Sequence, residues 1–275
     1  MTNSAIISLI LIIINVIVSY KGFKNEAFFD GYKFEVDPIL VQKDYKRIIT
    51  SGFLHGSWKH LIGNMISLYL FSNIVELYLG SGKFLIVYFS SLIGSSLFSL
   101  FMHRNHGDYS AVGASGAVCG VIFASIALFP GMQIFFIPSW LFGILYVLFS
   151  IYCIKSAKDN IGHDAHLGGA IIGMLVACAL EPAAFLENYD TILIIAIPTI
   201  IFIYFIVTRP YLLLIDNLFF KKHENYYSID HKYNADKNAQ QREIDFILDK
   251  ISKKGLQSLT KKEKEKLEKF SKSVQ

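Results

Sequence analysis

Two residue types capable of acyl transfer sit among glycines in strongly apolar sequence. Ser115 lies within Gly113-Ala114-Ser115-Gly116, and His166 lies within Ala165-His166-Leu167-Gly168-Gly169. A serine hydroxyl becomes a useful nucleophile when an adjacent base takes its proton, and a neutral imidazole is the commonest base. Taken alone, each residue has an ordinary structural explanation. A serine in an apolar helix usually bonds its own backbone or glues helices together, and a histidine at a helix end is usually a hydrogen-bonded support. The glycines change that balance. Gly113 suits a sharp turn into a helix, which leaves Ser115 at a helix N-terminus, where free backbone N–H groups stabilise a developing oxyanion. Gly116 and Gly120 are spaced i, i+4, as are Gly169 and Gly173, and each pair presents a small face that lets another helix approach closely. Two such helices, one opening on the serine and one on the histidine, bring the side chains within reach of each other. The expected chemistry is cleavage of peptide bonds in or near a bilayer.

Further polar groups fit the same site. His60 and Asn64 lie one turn apart on one helix face. Such groups are costly inside a membrane unless satisfied, and an amide N–H and an imidazole N–H are the donors an oxyanion needs. The plainer alternative is that they only bridge helices. Glu76 lies at the far end of the same helix and reads as structural. Asp164 precedes His166 by two residues and would not face it on a helix, so a Ser–His dyad is expected rather than a triad.

The elements that must position these residues are membrane spans. Of the 275 residues, 53% are hydrophobic and 17% charged, with a mean hydropathy of +0.44; soluble domains carry about 25% charged residues. The charges cluster before residue 60 and after residue 208. A transmembrane helix needs roughly 20 apolar residues, and the stretches near 4–20, 57–79, 84–102, 113–130, 132–153, 165–182 and 191–208 qualify. No alternating strands suggest a β-barrel. The first stretch reads as a retained helix, because no cation precedes it and no small-residue cleavage site follows. Cys119, Cys153 and Cys178 match no metal or disulfide pattern and read as buried thiols. By parity, the helices carrying His60 and Asn64, Ser115, and His166 run in one direction, so all four residues reach a similar depth.

Those motifs resemble the rhomboid intramembrane serine proteases. Gly113-Ala114-Ser115-Gly116 corresponds to the family's GxSG, His60-Leu61-Ile62-Gly63-Asn64 to its HxxxN, and Ala165-His166-Leu167-Gly168-Gly169 with Gly173 to its AHxxGxxxG. Arg47, His55, Glu76 and the Leu79–Lys83 turn fall at family-like spacings, and the resemblance covers about residues 45–180. It implies an all-α polytopic membrane protein with a six-helix core. Ser115 would be the nucleophile and His166 the general base, while Asn64, His60 and the Ser115 N–H would form the oxyanion hole. It also implies transmembrane protein substrates cut near helix-breaking sites, no metal or cofactor, and a membrane-embedded side structure formed by the loop after the first helix. Two positions depart from the pattern. Lys46 stands where the family often has Trp, and Cys119 stands where it often has an aromatic packed under the histidine.

The expected organisation is a catalytic core over 1–182, a seventh helix in 183–209, an interfacial segment and linker over 210–241, and a basic helical hairpin over 242–275. The hairpin rests on Ile244, Ile247, Leu248 and Ile251 at helical spacing and on a capping box at Thr260-Lys261-Lys262-Glu263. The tail reads as a solvated segment or a surface for a partner or anionic lipid. In the 21–56 loop, Phe28, Phe29, Tyr32 and Phe34 mix with six cations, which suits either a solvated loop or a segment at the membrane interface. The expected location is a bacterial cell membrane, with the bilayer and transmembrane substrates as partners and no nucleic acid. The basic loops would place the active site in the cytoplasm by the positive-inside rule. The resemblance implies the opposite face, and that is the expectation adopted. Rival readings are a transporter using His60, Asn64 and His166 as relay groups, and an inactive rhomboid-like protein that binds transmembrane clients.

Overall fold

Apolar runs bounded by polar turns set the helices. The computed structural model describes residues 6–134, 136–156 and 162–208, with isolated positions beyond 246. The chain divides into two units, Met1–Lys221 and Lys222–Gln275, and the first carries the helical bundle. The interfacial segment after Arg209 and the basic hairpin expected from sequence lie outside the described residues, apart from those isolated positions.

Helix α1 (Ile6–Lys24) leads into three short helices, α2 (Glu26–Tyr32), α3 (Val36–Leu40) and α4 (Arg47–Thr50). The long helices are α5 (Trp58–Leu79), α6 (Ser81–His103), α7 (Ser115–Leu128), α8 (Ser139–Ser156), α9 (His163–Leu180) and α10 (Pro182–Thr208). Five of these, α1, α5, α6, α9 and α10, are long and apolar enough to cross a membrane, while α7 and α8 are shorter. The chain is thus an all-α polytopic membrane protein. Side chains facing away from the bundle form an apolar perimeter, including Ile13 and Ile17 on α1, Ile66 and Tyr69 on α5, Leu148 and Tyr152 on α8, and Ile197 and Ile201 on α10. Lipid is the solvent that such a surface requires.

The centre is α7. Every residue from Gly116 to Leu128 is buried, and its most extensive packing is against α9 and α6. The glycines decide the geometry. A Cβ at Gly169 would collide with the carbonyl oxygen of Gly116, and one at Gly173 would collide with the carbonyl oxygen of Gly120. Stepping one turn along α7 therefore steps one turn forward along α9, so the two helices run parallel with their backbones touching. On the other side, a Cβ at Gly116 would meet Ser95 and one at Gly120 would meet Ser91, so α6 runs antiparallel. Those serines satisfy themselves within α6, Ser91 donating to the Val87 carbonyl (2.7 Å) and Ser95 to that of Leu92 (2.9 Å).

Helix ends carry dedicated partners. Ser57 caps α5 by accepting from the His60 N–H at 3.2 Å. At the other end of α5, Glu76 is fully buried and accepts from the Ser81 hydroxyl (2.8 Å) and the Ser8 backbone N–H (3.3 Å). The structural role read for Glu76 is thus a clasp joining α1, α5 and the start of α6. Lys83 donates to the Leu180 carbonyl at 2.9 Å, at the end of α9. The amide of Asn188 donates to the Ala127 carbonyl at 3.0 Å, at the end of α7.

Three boundaries differ from those read in the sequence. The helix expected from 132 starts at Ser139, because Gln133–Ile134 (β3) and Ile137–Pro138 (β4) pair as a small hairpin. The helix expected over 191–208 is preceded by a further helical stretch from Pro182, and the two meet at a kink at Asn188 (φ −123°, ψ 21°). The 21–56 loop is built of α2, α3 and α4 around a strand, Phe34–Glu35 (β1), which pairs antiparallel with Ser110–Ala111 (β2) just ahead of Gly113. Arg47 holds this loop. It is buried, donates to the carbonyls of Asp30 (2.7 Å) and Lys33 (2.8 Å), and pairs with Asp44 (2.9 Å).

Candidate active site

The chain enters α7 through an extended stretch and a single left-handed residue. Gly113 has φ +130°, a conformation that side chains disfavour. Its N–H donates to the Ser51 carbonyl at 3.0 Å. A Cβ built on Gly113 would lie 2.7 Å from the His60 ring and 3.7 Å from Ser115 Oγ. The glycine is therefore the floor between the imidazole of α5 and the hydroxyl of α7. Ser115 is half-buried in the first turn of α7, where N–H groups have no intrahelical acceptors.

His55 supports this turn from below. It is fully buried, and its Nε2 accepts from the Ala114 N–H at 3.5 Å. With Nε2 an acceptor, the neutral ring carries its proton on Nδ1 and donates to Ser19 Oγ (2.8 Å), which donates to the Phe53 carbonyl (3.0 Å). Burial, followed by the nearby His60 ring, pushes the His55 pKa down to about 3. The unfolded chain would bind a proton near pH 6.5 that the folded chain refuses. The His55 contribution is therefore complete above pH ~6.5 and is lost as pH falls toward ~3, at up to about 1.4 kcal/mol per pH unit. Thermal unfolding in detergent should show this acid-side slope, and His55→Gln should flatten it.

Asn64 is buried and donates one amide hydrogen to the His60 carbonyl at 3.1 Å, which leaves its second hydrogen for another acceptor. His60 and Asn64 thus keep the one-face relation expected of them, with His60 against Gly113. His166 is half-buried in the first turn of α9, its Nδ1 3.2 Å from the hydroxyl of Tyr146 on α8. Because Gly169 abuts Gly116, the first turns of α9 and α7 lie side by side. Asp164 is engaged elsewhere, accepting from Ser99 Oγ (2.8 Å) and facing His103 Nε2 (3.3 Å), whose ring stacks on Tyr109 at 3.5 Å. It joins α9 to α6.

Two neighbours of these residues, His55 and Tyr146, have no stated role in the sequence. His55 is marked in the sequence only by its spacing, and its bond to the Ala114 N–H depends on the fold. Tyr146 does carry a signal, since a tyrosine hydroxyl in the middle of an apolar helix needs a partner when buried. Among the described residues, no group of three or more His, Cys, Asp or Glu is placed to hold a metal ion.

Residues 42–182 match the rhomboid domain, and residues 227–273 match a family of unknown function. Among curated proteins, the chain is 25% identical to the RHOMBOID-like protein 12, mitochondrial, of Arabidopsis thaliana, over 66% of this chain and 60% of that one. It is 32% identical to the Rhomboid protein 1, mitochondrial, of Saccharomyces cerevisiae, over 53% of this chain and 46% of the relative. It is 27% identical to the Rhomboid protease GluP of Bacillus subtilis, over 58% of this chain and 31% of the relative. The chain therefore spans less than two thirds of each of these relatives. The rhomboid match extends over more than half of the 275 residues and contains Ser115, His166, His60 and Asn64, and the chain belongs to the rhomboid family of integral membrane proteins.

Proposed function

We propose that this protein is a serine endopeptidase that cleaves transmembrane proteins within the bilayer, with Ser115 as nucleophile and His166 as general base. The observation that carries the reading is the interlock of Gly116 and Gly120 with Gly169 and Gly173, which sets the serine and histidine ends of two parallel helices at one level. In this mechanism the Ser115 proton passes to His166 Nε2 as Oγ attacks the scissile carbonyl carbon. The carbonyl oxygen becomes an oxyanion, facing the free N–H groups of the first α7 turn, His60 and the spare hydrogen of Asn64. The C–N bond then breaks as His166 returns the proton to the leaving amine, and water releases the acyl group by the same steps.

The length of α7 supports a buried substrate. Its 14 residues rise about 21 Å, short of the ~30 Å hydrocarbon core. A helix this short leaves at least one end inside the hydrocarbon core, and a recessed Ser115 would meet the backbone of a transmembrane segment whose helix is locally unwound. The short α7 and similarity to a rhomboid protease of Bacillus subtilis support the reading that transmembrane proteins are its substrates. The relatives share a membrane setting rather than one organelle, two being named mitochondrial, and the expectation of a bacterial cell membrane has no support from them.

The test is labelling by a fluorophosphonate probe. Ser115 should be labelled in the full-length protein, and His166→Ala should slow labelling at least about a hundred-fold. Equal labelling of the two proteins would remove His166 as the base. Absence of label in both would favour a non-catalytic rhomboid or a polar relay.

A further inference from the structure

The hydroxyl of Tyr146 lies 3.2 Å from His166 Nδ1 and 3.0 Å from Cys119 Sγ. Its ring is fixed by Phe123 on α7 (centroids 5.6 Å apart) and Phe142 on α8 (6.1 Å). The hydroxyl carries one proton, and it serves a base only when that proton points away from Nδ1. If Tyr146 donates to Nδ1, the neutral ring carries its own proton on Nε2 and has no lone pair for Ser115. If Tyr146 donates to Cys119 Sγ instead, its oxygen accepts from Nδ1–H and Nε2 is free. When the ring takes the serine proton, both nitrogens carry hydrogens, and Tyr146 must then accept.

We propose that Tyr146 is a positioning residue for His166, accepting from Nδ1–H to hold the base-competent tautomer and to stabilise the imidazolium, with the Cys119 sulfur receiving the phenol proton. This rests on the assignment of His166 as the base. It also gives the unusual Cys119 a role. An aromatic at that place on α7 would occupy the space where Tyr146 enters from α8, and the thiol instead leaves room and supplies an acceptor. Asp164, on the same helix, is bound to Ser99 and His103 of α6. Among the described residues, ionisable groups flanking His166 include His163 of its own helix, ring centroids 5.6 Å apart, Tyr146 from α8 and, through Tyr146, Cys119 from α7.

Tyr146→Phe removes the hydroxyl and keeps the ring. The rate of substrate cleavage should be measured across pH for the full-length protein in detergent, with Ser115→Ala as the blank. A hydrogen bond to a charged donor is stronger than one to a neutral donor. Tyr146→Phe should therefore lower kcat about tenfold at unchanged KM and move the acid limb of the profile to lower pH by about half a unit or more. A tyrosine that only packs would leave the limb in place, and an unmoved limb overturns the proposal. A second measurement needs no change at position 146. Histidine-labelled carbon NMR, with the His166 signal assigned by its loss in His166→Ala, reads the tautomer directly. Nδ1–H at neutral pH is expected, and Nε2–H overturns the proposal. If the unsubstituted protein is inactive and Ser115→Ala matches it, the failure is that of the protease reading; an active wild type with an unmoved limb is a failure of Tyr146 alone.

Discussion

Ser115→Ala should lower cleavage of a reporter transmembrane substrate by about ten-thousand-fold or more, while the protein still folds. The size follows from the chemistry. Alanine offers no oxygen to form the acyl intermediate, and removing the nucleophile of a serine hydrolase leaves only the modest catalysis of the oxyanion site. The structural cost is small. Ser115 is half-buried at the start of α7, and alanine is the better helix former by a few tenths of a kcal/mol. The checks are substrate cleavage on a gel and the thermal transition in detergent. Normal cleavage by the variant would end the protease assignment.

Gly169→Ala should damage both stability and activity. The added Cβ has no space to enter, because it meets the carbonyl oxygen of Gly116, with the Gly116 carbonyl carbon 2.8 Å away. A backbone carbonyl cannot rotate aside as a side chain can. The helices must separate, at a cost near the upper end of the ~1–3 kcal/mol seen for overpacking. That separation moves His166 relative to Ser115, and a shift of about 1 Å in a reacting pair costs on the order of a hundred-fold in rate. The expected result is a lowered thermal transition together with at least that loss of cleavage. The same alanine at Gly63, where no heavy atom lies within 4 Å of the added Cβ, should leave the thermal transition nearly unchanged. Equal behaviour of the two variants would contradict the close approach of α7 and α9.

The site was legible in the sequence to the extent that it depends on helix periodicity. The i, i+4 pairing of Gly116 with Gly120 and of Gly169 with Gly173 announces the interlock, and span parity announces that His60, Ser115 and His166 share an end. The departures lie where tertiary contacts override local pattern. Residues 132–138 are as apolar as a helix, yet they pair as β3 and β4, with the N–H of Ser139 donating to the Met132 carbonyl (2.7 Å) and its hydroxyl to that of Phe129 (2.8 Å). The last helix kinks at Asn188, whose amide is drawn to the end of α7. The β1–β2 pairing joins Phe34 to Ala111, a match between distant two-residue segments that no local signal could specify. His55 and Tyr146 belong to the same class, since their partners, Ala114 and His166, lie on other elements.

The burial of α7 bears on how the protein is made. Translation supplies α6 before α7, but α9, the helix whose backbone touches that of α7, emerges only after the β3–β4 hairpin and α8 have been synthesised. At about 5–20 residues per second, this is an interval of seconds. During it, the side of α7 that will meet Gly169 and Gly173 lacks its permanent partner, while α6 already lies against Gly116 and Gly120. Until then, of the two helices that pack most extensively on α7, only α6 has been made. Ser115 is thus in place before His166 is made, and the two ends are brought to one level only when the last glycine pair closes.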